Sequence, residues 1–184
     1  MNTPLISARG VEKHFDLPGG GKVEVLRGID VDIQRGEFVA IMGASGSGKS
    51  TLLYALSGID LPTAGTVNVD GNELTTMSQR QLEALRLDRI GFVFQQPHLL
   101  DGATIRDNVL LPVSWKGKKR RDAAVAESEE RMARLSIDHV ADNDAATVSG
   151  GQRQRAGIAR AMVNNPILMF ADEPTGLSAS STGK

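Results

Sequence analysis

The sequence predicts an α/β fold with an N-terminal antiparallel β subdomain, a core built on a mixed sheet, and a helical subdomain insert. Apolar and polar residues alternate over much of the first 33 residues, as in a sheet with one solvated face. A glycine-rich loop at residues 43–50 lies between a short apolar run and a helical pattern. From about residue 97 to 163, Ala, Leu, Arg and Glu dominate and β-branched runs become rare. These three observations predict the three parts of the fold.

The composition excludes several classes of protein. The chain has 184 residues, 40% of them hydrophobic, and a net charge of -1, which fits one soluble domain and argues against general affinity for nucleic acid. No apolar run approaches the roughly 20 residues of a membrane span, and the N-terminus lacks the pattern of a secretory signal. Cysteine is absent, so no disulfide or thiolate–metal framework is expected. The three histidines, His14, His98 and His139, lack metal-site spacing.

The glycine-rich loop has the pattern G-x-x-x-x-G-K-[ST] of a phosphate-binding P-loop. Glycines let the backbone curl around a polyphosphate with successive N–H groups pointing inward, and the following helix adds the partial positive charge of its N-terminus. We expect Lys49 to reach the β- and γ-phosphates and the Ser50 hydroxyl to ligand Mg²⁺. The candidate phosphate-binding residues are Gly43, Ser45, Gly46, Ser47, Gly48, Lys49, Ser50 and Thr51.

The segments that flank the loop support this interpretation over an ordinary Gly/Ser turn. Residues 37–42 are mostly apolar and predict a short, buried parallel strand. After the loop, leucines recur at helical spacing, and Gly58 suits a helix C-cap. We therefore predict nucleotide binding.

The N-terminal residues predict strands on which one aromatic residue stands out. Residues 5–15 predict a first strand that ends at Phe15, and residues 23–33 predict a strand pair. Phe15 is compatible with two roles, stacking on a purine base near the phosphate site or packing as a half-buried strand aromatic.

Three segments follow between the loop and the helical insert. Residues 66–69 predict a short strand, residues 78–87 a helix, and residues 90–94 a buried strand that ends in Gln95 and Gln96. Polar residues at the end of such a strand lie where α/β proteins usually bind ligands, although a plain strand-ending loop explains them as well.

Two features stand out in the helical insert. A basic run at residues 116–121 is followed by glutamates at 127, 129 and 130, which predicts a solvated helix start with charged pairs; a patch for lipid headgroups or a partner is the alternative. A Ser-Gly-Gly-Gln turn at 149–152 opens a helix, and it is compatible with a second anion site or with a simple helix cap.

An apolar run at 167–171 predicts a buried strand that ends in Asp172 and Glu173. Adjacent carboxylates at such a position are costly unless they hold a metal or activate water. With a P-loop in the same chain, we expect Asp172 to hold the Mg²⁺ shell and Glu173 to polarise the attacking water.

The P-loop, Gln95, the 149–152 turn and Asp172-Glu173, in that order around a helical insert, resemble the nucleotide-binding subunit of an ATP-binding cassette (ABC) transporter. The resemblance covers nearly the whole chain and implies a P-loop NTPase core. Stretches such as LLYALSGIDLPTAGTV and GFVFQQPHLL look most like the branch that exports lipoproteins, macrolides and antimicrobial peptides, a branch that also contains a cell-division ATPase.

The resemblance implies a role for each motif. Phe15 looks like the aromatic that stacks on adenine, and Gln95 like the Q-loop residue that senses Mg²⁺ and the γ-phosphate. Ser149, Gly150, Gly151 and Gln152 look like the signature that binds ATP held by a second subunit, with Val148 where the family usually has Leu. The implied metal ligands are Ser50, Gln95 and Asp172, and the implied catalytic residues are Glu173 and Gln95.

The chain departs from the family pattern in its C-terminal part. The D-loop is altered, with Ser178 where Asp is usual, and no histidine follows Asp172 to fill the H-loop role. We therefore expect one ABC ATPase domain over residues 1–184 that is incomplete at its C-terminus, with parts at 1–96, 97–163 and 164–184.

Three functions follow as hypotheses. The first is a peripheral ATPase at the cytoplasmic face of the membrane, which binds ATP and Mg²⁺, forms a head-to-tail dimer and drives export through a membrane permease. The second is a nucleotide-binding module with little catalysis. The third is a non-transport cassette ATPase; no nucleic-acid partner is expected.

Overall fold

The structure of the protein is a computed structural model that describes residues 3–173. The strands are β1 (Ile6–Asp16), β2 (Lys22–Ile33), β3 (Ala64–Val69), β4 (Asn72–Glu73), β5 (Ile90–Val93) and β6 (Leu168–Ala171). The helices are α1 (Lys49–Ser57), α2 (Gln79–Arg89), α3 (Ile105–Leu110), α4 (Lys118–Arg134) and α5 (Gly150–Met162). The chain divides into two compact units between Ala84 and Leu85, inside α2. The predicted limits at residues 96 and 163 stay predictions.

The N-terminal unit contains an antiparallel sheet with the strand order β2-β1-β3-β4, which confirms the predicted antiparallel region. Residues 23–33 form one strand and not the predicted strand pair. Gly28 takes a left-handed φ of 69° inside β2, and the register against β1 shifts nearby. The glycine therefore marks an irregularity within a continuous strand, as in a β-bulge, and not a turn between two strands.

Helix α1 packs against β1, β2 and β3 and closes the core of this unit. Ile6 on β1 and the alternate residues Val67 and Val69 on β3 are buried in the core of the sheet. Leu56 of α1 is buried in the same unit. Gly58 ends the helix at a φ of 69°, and its N–H donates to the carbonyl groups of the last turn, as predicted from the sequence.

Residues 37–42 do not form the predicted buried strand. Phe38 is 96% exposed and Met42 is 88% exposed. Within residues 3–173 no strand is assigned here, and the Glu37 N–H instead closes a turn onto the Gln34 carbonyl at 3.3 Å. A strand exists only through hydrogen bonds to a neighbouring strand, and an apolar sequence does not itself supply that neighbour.

In the C-terminal unit, β5 and β6 run parallel, with Ile90 opposite Leu168 and Val93 opposite Ala171. Helix α5 packs on β5 at very short range. A Cβ atom at Gly91 would lie 2.5 Å from the Ala161 carbonyl oxygen, so only glycine permits this approach. The parallel pairing brings the carboxyl ends of both strands to one edge.

The helical insert has its own buried cluster between α3, α4 and α5. Its fully buried members include Ile105, Val109, Met132, Ala156 and Ala159. The predicted helical character of residues 97–163 is thereby confirmed. None of the helices in residues 3–173 is both long and apolar enough to cross a bilayer.

The glutamates of α4 do not pair with the basic run as expected. Glu127 accepts from Arg131 at 2.9 Å and Glu130 from Arg134 at 2.6 Å, both one turn further along the helix. Glu129 pairs with Arg106 on α3. Spacing of four residues brings side chains together on a helix, whereas the basic run lies at least six residues before these glutamates.

Candidate functional site

The P-loop leads into α1 with several amide groups free to bind an anion. Gly46 and Gly48 take left-handed φ values of 76° and 90°, and Gly48 is the N-cap of the helix. The Ser47 N–H donates to the Ala44 carbonyl at 3.2 Å. Within residues 3–173, the N–H groups of Ser45, Gly46 and Gly48 donate to no protein acceptor. Successive free N–H groups before a helix form the concavity that binds phosphates.

Lys49 adds a positive charge to the same loop. Its Nζ donates to the carbonyl oxygens of Gly43 (3.1 Å) and Ala44 (3.0 Å), so the side chain folds back along the loop. The loop is tight, because a Cβ atom at Gly43 would lie 2.7 Å from the Ser47 Oγ. Ser50 lies in the first turn of α1. The free backbone N–H groups of the loop and the Lys49 ammonium group are donors compatible with a polyphosphate, which is the ligand that the sequence predicts.

Phe15 lies near the P-loop, and its side chain is partly buried. It pairs with Val23 on β2, and a Cβ at Gly48 would contact Val25 two residues further along that strand. Two residues of a strand span about 7 Å, which places Phe15 within reach of a nucleotide on the loop. The ring is 43% exposed, and the Lys13 Nζ lies 5.4 Å from its centroid. Both predicted roles, base stacking and strand packing, are compatible with this position.

The C-terminal unit brings Gln95 and Glu173 together. Gln95 follows β5 and Glu173 follows β6, and the Gln95 Nε2 donates to the Glu173 Oε2 at 2.7 Å. Both side chains are exposed. The Glu173 backbone has a φ of 44°, in the left-handed region that side chains rarely adopt. Such strain is common at functional sites, where the surrounding structure holds one residue in place.

Asp172 is fixed by the same strand pair. Its N–H donates to the Val93 carbonyl at 2.9 Å, and its side chain is half-buried. Among residues 3–173 no three His, Asp or Glu side chains cluster to form a metal site of their own. The predicted ligand set has one carboxylate, Asp172, with the oxygens of Ser50 and Gln95. That donor chemistry fits Mg²⁺, which usually takes one or two carboxylates and completes its shell with phosphates and water.

The 149–152 turn forms a full capping box at the start of α5. The Ser149 Oγ accepts from the Gln152 N–H at 3.3 Å, and the Gln152 Oε1 accepts from the Ser149 N–H at 2.8 Å. The predicted cap is therefore present. Gly150 and Gly151 are exposed, and a Cβ at Gly150 would meet nothing within 4 Å. The surface of this turn is open to a ligand, so the cap does not exclude the anion-site interpretation.

Two side chains that sequence reasoning missed tie α5 to the segment after β5. Arg160 donates to the carbonyl oxygens of Pro97 and His98, the latter at 3.0 Å, and Gln154 Nε2 donates to the Phe94 carbonyl at 3.2 Å. Burial lowers the pKa of Arg160. Gln95 is thus held between two anchored residues. No local spacing indicated these contacts in advance, because the acceptor carbonyl groups lie 60 to 63 positions earlier in the chain.

Comparison with known proteins identifies the family. The ABC transporter family model matches residues 26–176. The chain belongs to the ABC transporter family.

The relatives of this ABC chain include the macrolide export ATP-binding/permease protein MacB 1 of Aeromonas hydrophila, with 45% identity over the whole chain and 28% of that protein. The bacitracin export ATP-binding protein BceA of Halalkalibacterium halodurans is 46% identical over 94% of the chain and 67% of the relative. The lipoprotein-releasing system ATP-binding protein LolD 2 of Caulobacter vibrioides is 40% identical over 96% of the chain and 76% of the relative.

Solved structures of ABC cassettes confirm the predicted fold class. A dimeric, post-hydrolysis structure of the cassette MJ0796 bound to ADP and Pi has a TM-score of 0.82 and 37% identity, over 92% of this chain and 74% of that one. The predicted resemblance to the export branch is also confirmed by the named relatives. The ABC chain spans 28% of the length of the MacB relative. The altered D-loop at Ser178 lies outside the described residues.

Proposed function

We propose that this ABC chain binds and hydrolyses ATP and that hydrolysis powers export through a partner membrane permease. The observation that carries the proposal is the hydrogen bond from Gln95 to Glu173, which joins two predicted catalytic residues at the carboxyl edge of β5 and β6. Family membership supports ATP as the nucleotide, and the geometry of the P-loop supports a binding site for its phosphates.

In the proposed mechanism, the residues of the P-loop bind the phosphates and position the terminal one. The free amides before α1 donate to phosphate oxygens, and Lys49 exchanges its two loop carbonyl acceptors for the β- and γ-phosphates. Ser50, Gln95 and Asp172 would hold Mg²⁺, which neutralises charge on the phosphate oxygens. Phe15 would stack on the adenine base.

Glu173 acts as the general base in this mechanism. Its carboxylate accepts a proton from the attacking water while Gln95, which already donates to the Oε2, keeps that carboxylate in one orientation. The left-handed backbone at Glu173 aims the side chain away from the direction that the strand would give it. Proton acceptance and water orientation are thus assigned to one hydrogen-bonded pair.

The proposed assembly is a head-to-tail dimer on a permease. Ser149, Gly150, Gly151 and Gln152 of one subunit would bind the γ-phosphate of ATP held by the other, and their exposed turn leaves that surface accessible. The dimeric relatives of known structure support this arrangement. The named relatives support a lipoprotein, peptide or drug-like cargo and a place at the cytoplasmic face of the membrane.

The test measures Mg-dependent ATP binding and hydrolysis by the chain and two variants. Lys49→Ala should lose ATP binding, and Glu173→Gln should bind ATP but lose turnover by roughly a hundredfold or more. Exposed matched controls are Lys22→Ala and Glu83→Gln, which should retain both properties. Unchanged binding by Lys49→Ala would overturn the site. Binding without turnover by the parent chain would instead favour a nucleotide-binding module with little catalysis.

A further inference from the structure

We propose that the start of α4 is a docking surface for anionic lipid headgroups, a site beyond the proposed ATPase activity and independent of it. We call this surface the basic patch; it consists of Trp115, Lys118, Lys119 and Arg121. Each of the four residues is exposed, and Trp115, which lies three positions before the first residue of α4, is 79% exposed.

The cations of the basic patch are not neutralised by the chain. In the part of the chain that the structure describes, Lys118, Lys119 and Arg121 have no carboxylate partner. Their helix has no acidic residue in its first turn, and Asp122 is the only carboxylate that directly follows the run. Cations at the positive end of a helix dipole weaken that helix, so their placement has no stabilising role for α4 itself.

The carboxylates that could neutralise the basic patch are engaged elsewhere. Glu127, Glu129 and Glu130 all pair with arginines outside the patch. The two remaining cations of the run serve as anchors: Lys116 pairs with Asp88, and Arg120 donates to the Asn164 carbonyl at 3.1 Å. The helix start is therefore fixed in place while three positive charges stay exposed.

Trp115 makes this surface suited to a membrane interface. An exposed indole beside lysines is apolar on its face and polar at its N–H, which is the character of side chains at the level of lipid headgroups. An open groove of about 560 Å³ at the start of α4 is lined by Gly117, Lys118, Lys119, Arg120 and Ala123. A cluster of Lys and Arg next to such a residue is typical of binding to anionic lipids.

Anionic lipid fits these observations better than an acidic protein partner. The cations come from one short segment at a single helix start, and Asp122 is the only carboxylate beside them that could fix the register of a protein partner. Binding to a charged lipid surface needs only local charge and one interfacial anchor. Such binding should weaken at high salt, because the screening length falls to about 3 Å at 1 M.

The experiment uses the single tryptophan of the chain as its own reporter. Trp115 is the only tryptophan, so its fluorescence directly monitors the basic patch. The full chain is titrated with vesicles of phosphatidylcholine alone and of phosphatidylcholine with phosphatidylglycerol. We expect a blue shift and co-sedimentation only with the anionic vesicles, and loss of both at high salt.

A charge-matched pair of triple variants tests the assignment. Each exposed cation contributes about fivefold to binding, so Lys118→Gln, Lys119→Gln and Arg121→Gln together should weaken vesicle binding by roughly a hundredfold. The control removes the same charge at exposed sites elsewhere, Arg27→Gln, Arg80→Gln and Arg134→Gln, and should bind as the parent does. Circular dichroism checks that both triple variants keep their helix content.

Two outcomes would overturn the proposal. The first is equal binding to neutral and anionic vesicles, or an equal loss in both triple variants, because net charge and not this surface would then govern binding. The second is absence of any binding of the parent chain to anionic vesicles; loss of permease co-purification in the basic-patch variant would then assign the surface to an acidic protein segment. Neither outcome depends on ATP turnover, so the proposed ATPase function is tested separately.

Discussion

The P-loop offers a matched pair of glycine substitutions with different expected costs. Gly46 and Gly48 both have left-handed backbones, at φ values of 76° and 90°. An alanine at either position pays about 1–2 kcal/mol for that conformation. The two sites differ in their surroundings, because a Cβ at Gly46 would meet nothing within 4 Å.

At Gly48 the added methyl group would also meet β2. Its Cβ would lie 3.0 Å from the Val25 Cγ1 and 3.2 Å from the Val25 carbonyl oxygen. The valine side chain can move, but the carbonyl is held by the sheet, so overpacking adds roughly 1–3 kcal/mol. We therefore expect Gly46→Ala to cost about 1–2 kcal/mol of stability and Gly48→Ala about 2–5 kcal/mol.

Urea unfolding followed by far-ultraviolet circular dichroism measures this difference. Binding of a fluorescent ATP analogue to the folded variants then tells whether the loop keeps its phosphate site. Equal free energies of unfolding for Gly46→Ala and Gly48→Ala would refute the reasoning, since the contact with β2 would then contribute nothing. A stable Gly48→Ala that binds ATP normally would also show that α1 can begin without its left-handed N-cap.

Three further predictions concern the C-terminal unit. Glu173→Asn should raise stability by about 1 kcal/mol, because Asn tolerates the left-handed backbone, and should abolish turnover; thermal unfolding and an ATPase assay check both. Arg160→Met should cost about 1.5–3 kcal/mol in urea unfolding, since the carbonyl groups of Pro97 and His98 lose a charged donor; a cost below about 1 kcal/mol would contradict the anchor. The hydrogen bonds from Asn165 and Arg131 lower the pKa of Glu127, whose ordinary value is 4.5. The stability from this carboxylate is present above that value and is lost as the pH falls through the lowered pKa, so the difference in melting temperature between the parent and Glu127→Gln should shrink there; a constant difference would contradict it.

Local sequence determined the elements that depend on near neighbours. The P-loop glycines, the Gly58 cap and the Ser149–Gln152 capping box each follow from residue types within one turn of backbone, and the structure contains all of them. Period and composition also predicted an antiparallel sheet in the N-terminal region and the helical insert. These features need no distant contact, which is why the residues alone indicated them.

Partners distant along the chain were decided only by the tertiary structure. Residues 37–42 have the composition of a buried strand, yet Phe38 is almost fully exposed because composition cannot supply a neighbouring strand. Glu127 and Glu130 pair with arginines four residues further along α4, because that spacing brings side chains together on a helix. Glu129 pairs with Arg106, which lies on α3.

The same distinction applies to the candidate site. The sequence named Gln95 and Glu173 separately, 78 positions apart, but only the parallel pairing of β5 and β6 brought them to 2.7 Å. Arg160 shows this most clearly, because its carbonyl acceptors lie 62 and 63 positions earlier in the chain. The sequence therefore indicates which chemistry a side chain can perform, whereas the tertiary structure determines which other groups lie close enough to take part in it.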